Sequence, residues 1–102
     1  MNEFNVVIPS RLDSKRLPRK ALAVINGKPL IEWVHQRAIE SAAKIVLIAT
    51  DSEEIASVAK AFGAKVEMTS TDHHSGTDRI FEVCERRNWN DEKIVVNLQG
   101  DN

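Results

Sequence analysis

A cluster of cationic side chains follows the first apolar segment of the chain. Phe4 to Ile8 is short and rich in β-branched residues, and Pro9 follows it. The loop from 9 to 20 carries its positive charges on Arg11, Lys15, Arg16, Arg19 and Lys20. Arginine forks onto two phosphate oxygens and lysine acts as a compact point charge, so this loop suits a polyphosphate. The same spacing also fits a solvated basic surface loop.

A second candidate site is Gln99-Gly100-Asp101, which follows the apolar run Ile94 to Leu98. Mg²⁺ is commonly bound by a carboxylate together with substrate phosphates. Gly100 would let the backbone approach a ligand closely. Taken alone, a Gly-Asp pair is just as typical of a turn. The sequence thus offers a phosphate clamp and one candidate metal ligand, Asp101.

A third polar cluster spans residues 72 to 79. His73 and His74 lie beside acids, but no zinc-type spacing with further histidine or cysteine ligands accompanies them, which argues against a zinc site. Ser75 or Thr77 could contact a base or simply cap the following helix. The remaining histidine, His35, is expected on the solvated side of a helix.

The segments between these clusters alternate between strand and helix patterns. Four short apolar runs predict buried strands, at 4–8, 44–49, 64–68 and 94–98. A short extended piece is predicted at 21–25, before the turn signal Asn26-Gly27. Pro29 suits the first position of a helix that runs to about Ser41. Two further helices are predicted, from the cap Thr50-Asp51-Ser52 to Gly63 and over about 77–87.

This order predicts an α/β fold with a mostly parallel sheet and flanking helices, joined by right-handed crossovers. Ligands of such sheets bind beyond the carboxyl ends of the strands, where the cationic loop and Asp101 would meet. The crevice needs elements on both sides of the point where the strand order reverses, and this chain supplies one side. We therefore expect residues 1–102 to be the amino-terminal part of a larger domain.

Composition narrows the function classes. The chain has 102 residues and a formal net charge of -1, which argues against nucleic acid or an anionic membrane as a partner. No signal peptide or membrane span is indicated, so a cytoplasmic location is expected. The single cysteine, Cys84, cannot form an intramolecular disulfide and fits a helix as a small buried apolar residue.

Several segments together resemble the cytidylyltransferases that activate 3-deoxy-manno-octulosonate (KDO), the CMP-KDO synthetases. The resemblance covers essentially the whole chain. It implies the Rossmann-like fold of the nucleotide-diphospho-sugar transferases. It also implies transfer of CMP from CTP to the anomeric hydroxyl of KDO, with pyrophosphate as by-product and Mg²⁺ as cofactor. The segments that carry it are 8–11, 14–20, 25–30, 49–51, 72–79 and 96–101.

The resemblance also implies roles for individual residues. Catalytic roles fall to Arg11, Lys20 and Asp101, and Asp101 holds the metal. Within the nucleotide site, Ser75 and Arg79 match the segment that helps form the cytosine pocket. The full set of implied nucleotide contacts is Arg11, Ser14, Arg16, Lys20, Ser75 and Arg79.

The sugar acid is less well determined. Gln99 falls where the family contacts this substrate. Family members are much longer, and their carboxyl-terminal half supplies most of the sugar pocket, a second metal carboxylate and much of a dimer interface. We therefore expect the chain alone to be inactive and its parent to be a homodimer. Two alternatives stay open: a sibling cytidylyltransferase for amino-KDO or a sialic acid, and a non-catalytic nucleotide-binding fragment.

Overall fold

The computed structural model describes residues 4–11, 20–70, 76–89 and 94–97. Its six strands are β1 (Phe4–Ser10), β2 (Val24–Ile25), β3 (Lys28–Pro29), β4 (Ile45–Thr50), β5 (Lys65–Met68) and β6 (Ile94–Asn97). The α-helices within these ranges are α1 (Leu30–Glu40), α2 (Glu53–Ala61) and α3 (Gly76–Arg86), and a 3-10 turn covers Lys20–Leu22.

The main sheet has four strands in the order β5-β4-β1-β6, and every pairing in it is parallel. β1 lies in the middle, with Val6 opposite Val46 of β4 and Val96 of β6. Helices connect the consecutive parallel strands β1, β4, β5 and β6. The predicted α/β architecture, with a parallel sheet and flanking helices, is confirmed.

Side chains of the central strands alternate between two apolar layers, because successive residues of a strand point to opposite faces. Val6 and Ile8 pack with Ile31 of α1 and Ile55 of α2. On the opposite face, a second cluster contains these residues: Val7, Leu47, Ala49 and, from α3, Val83. Coverage on both faces explains why β4 is a continuous apolar run from Ile45 to Ala49, and why β1 is apolar except at Asn5 and Ser10.

β1 continues past the point where the sequence predicts its end. Pro9 lies opposite Ala49, and Ser10 lies opposite Thr50. The Phe4 carbonyl accepts a hydrogen bond from the Lys44 amide at 2.8 Å, so even-numbered residues of β1 direct their backbone polar groups toward β4. Pro9 therefore turns its missing N–H toward the other side, beyond the last β1–β6 pair that the structure describes. A proline is tolerated at this position of the β1–β4 pairing, because that ladder loses no hydrogen bond to the missing N–H.

The segment before α1 also differs from the prediction. The extended piece predicted at 21–25 is a 3-10 turn followed by the β2–β3 hairpin. Asn26 and Gly27 form its two-residue turn with φ values of 49° and 85°, as a type I′ hairpin requires. Pro29 precedes α1 as an extended residue, with φ -64° and ψ 150°, and the helix begins at Leu30.

The α2 boundaries follow the predicted signals. The Ser52 hydroxyl accepts a hydrogen bond from the Ile55 amide at 3.2 Å, which caps the helix. Gly63 has φ 92°, the left-handed conformation that favours glycine after a helix. In the described ranges, no helix is long and apolar enough to cross a bilayer.

Candidate functional site

The carboxyl ends of three strands meet at one edge of the sheet. Ser10 of β1 lies opposite Thr50 of β4, and Thr50 lies opposite Met68 of β5. Arg11 and Asp51 directly follow β1 and β4, so they share this edge, and Arg11 is exposed. The parallel register thus places the start of the cationic loop where an open α/β sheet binds its ligand.

The last residues of β1 and β4 bring two buried hydroxyl groups to this edge. Thr50 is fully buried, and its hydroxyl accepts a hydrogen bond from the Ser52 amide at 3.1 Å. Ser10 is 2% exposed, and within the part of the chain that the structure describes its hydroxyl has no hydrogen-bond partner. An unpaired buried hydroxyl beside the strand end is a polar group available to a ligand.

The cationic loop is anchored at both of its described ends. Arg11 continues directly from β1, and the 3-10 turn Lys20–Leu22 closes the loop. Ala21, in that turn, is fully buried in the core layer that contains Val6 and Ile8. The backbone of Lys20 is therefore fixed next to a core residue, whereas Ser14 and Arg16 lie outside the described residues.

The β2–β3 hairpin holds the chain after this loop against α1. The Trp33 indole N–H donates to the Ile25 carbonyl at 2.7 Å, and the Leu30 amide donates to the Ala23 carbonyl at 2.9 Å. The Lys28 ammonium lies 4.7 Å from the centre of the Trp33 ring, a cation–π distance. Trp33 is thus a packing residue that stabilises the hairpin behind the loop.

Arg79 is the predicted nucleotide contact whose surroundings are best defined. Its side chain is 4% exposed, although it is charged. Nη2 lies 3.3 Å from Oδ2 of Asp51, and Nη1 donates to the Thr69 hydroxyl and, at 3.4 Å, to the Ser70 carbonyl. The structure therefore brings Arg79 to the carboxyl edge of the sheet, where its described polar contacts are with protein groups. Contact with a nucleotide stays a prediction.

Asp51 is a residue that the sequence analysis did not select for the site. Its position directly after β4 was the available signal, since carboxylates at strand ends gather at the ligand edge. The segment Thr50-Asp51-Ser52 instead indicated a helix cap. In the structure, Ser52 caps α2, whereas Asp51 forms an ion pair with Arg79.

Several predicted site residues fall outside the described ranges, and their roles stay predictions: Ser14, Arg16, Ser75, Gln99 and Asp101. The backbone of Lys20 is described, but its side chain is not. Over the described residues, no group of three or more histidine, cysteine or acidic side chains is arranged to hold a metal ion.

Two further titratable groups lie away from this edge. His35, expected to be solvated, is half-buried, with its ring centroid 5.3 Å from that of Phe62. Burial lowers the pKa of His35, and nearby Glu32 opposes this shift. Cys84, expected to be a small buried residue, lies on α3 but is only half-buried, and this partial burial raises the pKa of its thiol.

Comparison with known proteins places the chain in a wider context. Residues 5–102 match the family described as cytidylyltransferase. The 3-deoxy-manno-octulosonate cytidylyltransferase of Haemophilus influenzae is 54% identical over 98 residues, which are 96% of this chain and 39% of that protein. The protein of the same name from Colwellia psychrerythraea is 52% identical, over 96% of this chain and 35% of that protein. The chain thus spans well under half the length of these relatives.

Solved structures show the same fold. A CMP:2-keto-3-deoxy-manno-octonic acid synthetase in complex with CTP superposes with a TM-score of 0.87 at 42% identity, over 97% of this chain and 40% of that chain. A cytidylyltransferase from Leptospira borgpetersenii superposes with a TM-score of 0.76 at 23% identity, over 99% of this chain and 42% of that chain, which supports the fold alone.

Proposed function

The chain belongs to the cytidylyltransferase family, and from this membership we propose that it forms the CTP-binding part of a CMP-KDO synthetase. The proposed reaction transfers CMP from CTP to the anomeric hydroxyl of KDO, for lipopolysaccharide biosynthesis. One observation carries the proposal. The relatives that match 96% of this chain at 52% and 54% identity are named for this activity.

The triphosphate of CTP would bind beyond the carboxyl ends of β1 and β4. Arg11 leaves β1 at this edge, and the turn that contains Lys20 is fixed by the buried Ala21. Two cations at opposite ends of one loop can hold a polyphosphate from two sides. Ser14 and Arg16, between them, would complete the clamp.

The chemistry asks the protein mainly for positioning and charge neutralisation. The anomeric hydroxyl of KDO gives up its proton to solvent as its oxygen forms a bond to the α-phosphorus. The bond from that phosphorus to the oxygen that bridges it to the β-phosphorus breaks, and pyrophosphate leaves. Arg11 and Lys20 would neutralise the charge that develops on the leaving pyrophosphate. Gln99 would contact the sugar acid, and Ser75 would lie at the cytosine.

Asp101 is the residue of this chain proposed to hold Mg²⁺. One carboxylate combined with triphosphate oxygens is a donor set of the kind that Mg²⁺ takes in nucleotide sites. When bound, Mg²⁺ neutralises phosphate charge. Asp101 follows β6, which pairs with β1 in parallel, and this connection supports its placement near the same edge.

Calorimetric titration of the chain with CTP, UTP, ATP and GTP in Mg²⁺ tests the nucleotide part of this proposal. We expect CTP-selective binding that Arg11→Ala abolishes. Arg37→Ala is the matched control, because Arg37 is an exposed arginine on α1. Absence of binding by a chain shown to be folded would contradict a CTP site in this part of the family fold. Loss of binding in both variants would show a general charge effect.

A further inference from the structure

Helix α3 presents a row of polar side chains to the end of β5. Arg79, Glu82 and Arg86 are spaced by three and four residues, so they lie on one face of the helix. Glu82 Oε1 accepts a hydrogen bond from the Ser70 amide at 3.0 Å. Arg86 donates to the Met68 carbonyl and forms an ion pair with Glu82. Among the described strands β5 lies at one edge of the main sheet, and side chains of α3 hold the backbone where β5 ends.

Arg79 is the most buried member of this row and the only one of the three that reaches β4's end within the described contacts. Its Nη2 forms an ion pair with Asp51 after β4, while its Nη1 donates to the Thr69 hydroxyl and the Ser70 carbonyl after β5. One guanidinium thus joins α3 to the ends of two neighbouring strands. Separating the partners of a buried ion pair leaves an unpaired buried charge, so conformations that break the contact of Arg79 with Asp51 are strongly disfavoured.

The residues held in this way border the polar segment 71–75. Thr69 and Ser70 directly precede it, and α3 begins directly after it at Gly76. The Thr69 amide also donates to the Thr50 carbonyl at 2.9 Å, so the last fixed point before the segment belongs to the sheet.

We propose that Arg79 is a positioning residue, which sets the two borders of segment 71–75 relative to the ligand edge and does not itself bind the base. A guanidinium that is 4% exposed and shared among three protein partners has little surface left for a ligand. Base selectivity then depends on the Asp51–Arg79 pair, while phosphate affinity depends on the cationic loop. The part that concerns nucleotide rests on the proposed function.

The test compares Arg79→Gln and Asp51→Asn with the control Arg37→Gln. Amide hydrogen exchange at Thr69 and Ser70 is measured in the nucleotide-free chain, and calorimetry measures affinity for CTP, UTP and inorganic triphosphate. The Ser70 amide donates to Glu82, and the Ser70 carbonyl accepts from Arg79. Loss of the charged contacts of Arg79 loosens this border, so we expect exchange at Ser70 to be faster by about tenfold or more in both variants of the pair. We expect both to lose the preference for CTP over UTP while keeping their affinity for triphosphate.

The outcomes separate positioning from direct contact. If Asp51→Asn leaves exchange and CTP preference as in the parent chain while Arg79→Gln abolishes CTP binding, Arg79 binds the nucleotide and the proposal is wrong. If the parent chain binds no nucleotide, the proposed function fails for this chain, but the exchange data still decide whether Arg79 holds the segment borders. If Arg79→Gln does not fold, Thr69→Val removes one contact with little change in shape and should speed exchange at Ser70.

Discussion

Asn5 offers the sharpest test of how the sheet is stabilised. It lies in the central strand, 1% exposed, opposite Ile45 of β4 and Val95 of β6. Its side chain points to the same face as Val7, in the layer covered by α3. Both polar atoms of its amide lack a hydrogen-bond partner in the part of the chain that the structure describes. We predict that Asn5→Leu, which keeps the branched shape without the polar atoms, stabilises the protein.

The expected size follows from desolvation. A buried polar group without a partner costs about 1–3 kcal/mol, and an apolar group of the same shape removes that cost. Leucine also adds buried apolar area at a strand position. For a domain of this size, 1 kcal/mol corresponds to a Tm shift of about 4–8 °C. We therefore expect a rise in Tm of at least about 4 °C.

Thr50→Val is the matched control. Thr50 is also fully buried, lies in the neighbouring strand and keeps its shape on substitution, but its hydroxyl accepts a hydrogen bond from the Ser52 amide. This variant should lose about 0.5–1.5 kcal/mol. Urea denaturation followed by circular dichroism gives both free energies of unfolding, and unchanged m-values confirm that the same transition is compared.

The free energy of unfolding should therefore increase in Asn5→Leu and decrease in Thr50→Val. A decrease in the free energy of unfolding for Asn5→Leu would refute the reasoning, because it would mean that the Asn5 amide has a stabilising partner in solution. An ordered water is the obvious candidate for such a partner. Equal gains in both variants would refute it differently, by showing that apolar burial alone decides stability at these positions.

Other predictions address titration, reactivity and capping. Burial lowers the pKa of His35 below 6.5 in the folded chain, so the unfolded state binds more protons as the pH falls below that value. The free energy of unfolding should therefore be highest above pH 6.5 and decrease as the pH drops toward the lowered pKa. Urea midpoints measured at several pH values should show a smaller decrease for His35→Gln. Cys84 should react with iodoacetamide more slowly in the folded chain than in urea, since burial raises its thiol pKa; equal rates would contradict this. Ser52→Ala should lower the free energy of unfolding by about 1 kcal/mol through loss of the α2 cap. An unchanged free energy would mean that this hydrogen bond does not stabilise the helix.

The sequence predicted the sheet well because its signals are local. β1 and β4 carry apolar residues on both faces, and helix signals such as Ser52 and Gly63 act within one turn. The alternation of elements then left a parallel sheet as the simplest arrangement. The end of β1 was predicted wrongly at Pro9, because tolerance of a missing N–H depends on which neighbour the residue faces.

Features that depend on distant contacts were missed. Nothing near Asp51 in sequence indicates a pairing with Arg79, which is 28 positions away. His35 was expected to be solvated because its contact, Phe62, comes from a distant part of the sequence, directly after α2. The hairpin before α1 was predicted only as an extended piece, since two-residue strands are too short for periodicity to show.

The central claim is that nucleotide binds at the edge where β1, β4 and β5 end. Titration of the ¹⁵N-labelled chain with CTP and Mg²⁺, followed by NMR, tests it most directly. The account predicts amide shift changes concentrated at Arg11, Ala21, Asp51 and Ser70. Changes concentrated at the opposite edge, around Phe4, Ile45 and Lys65, where the same strands begin, would contradict it.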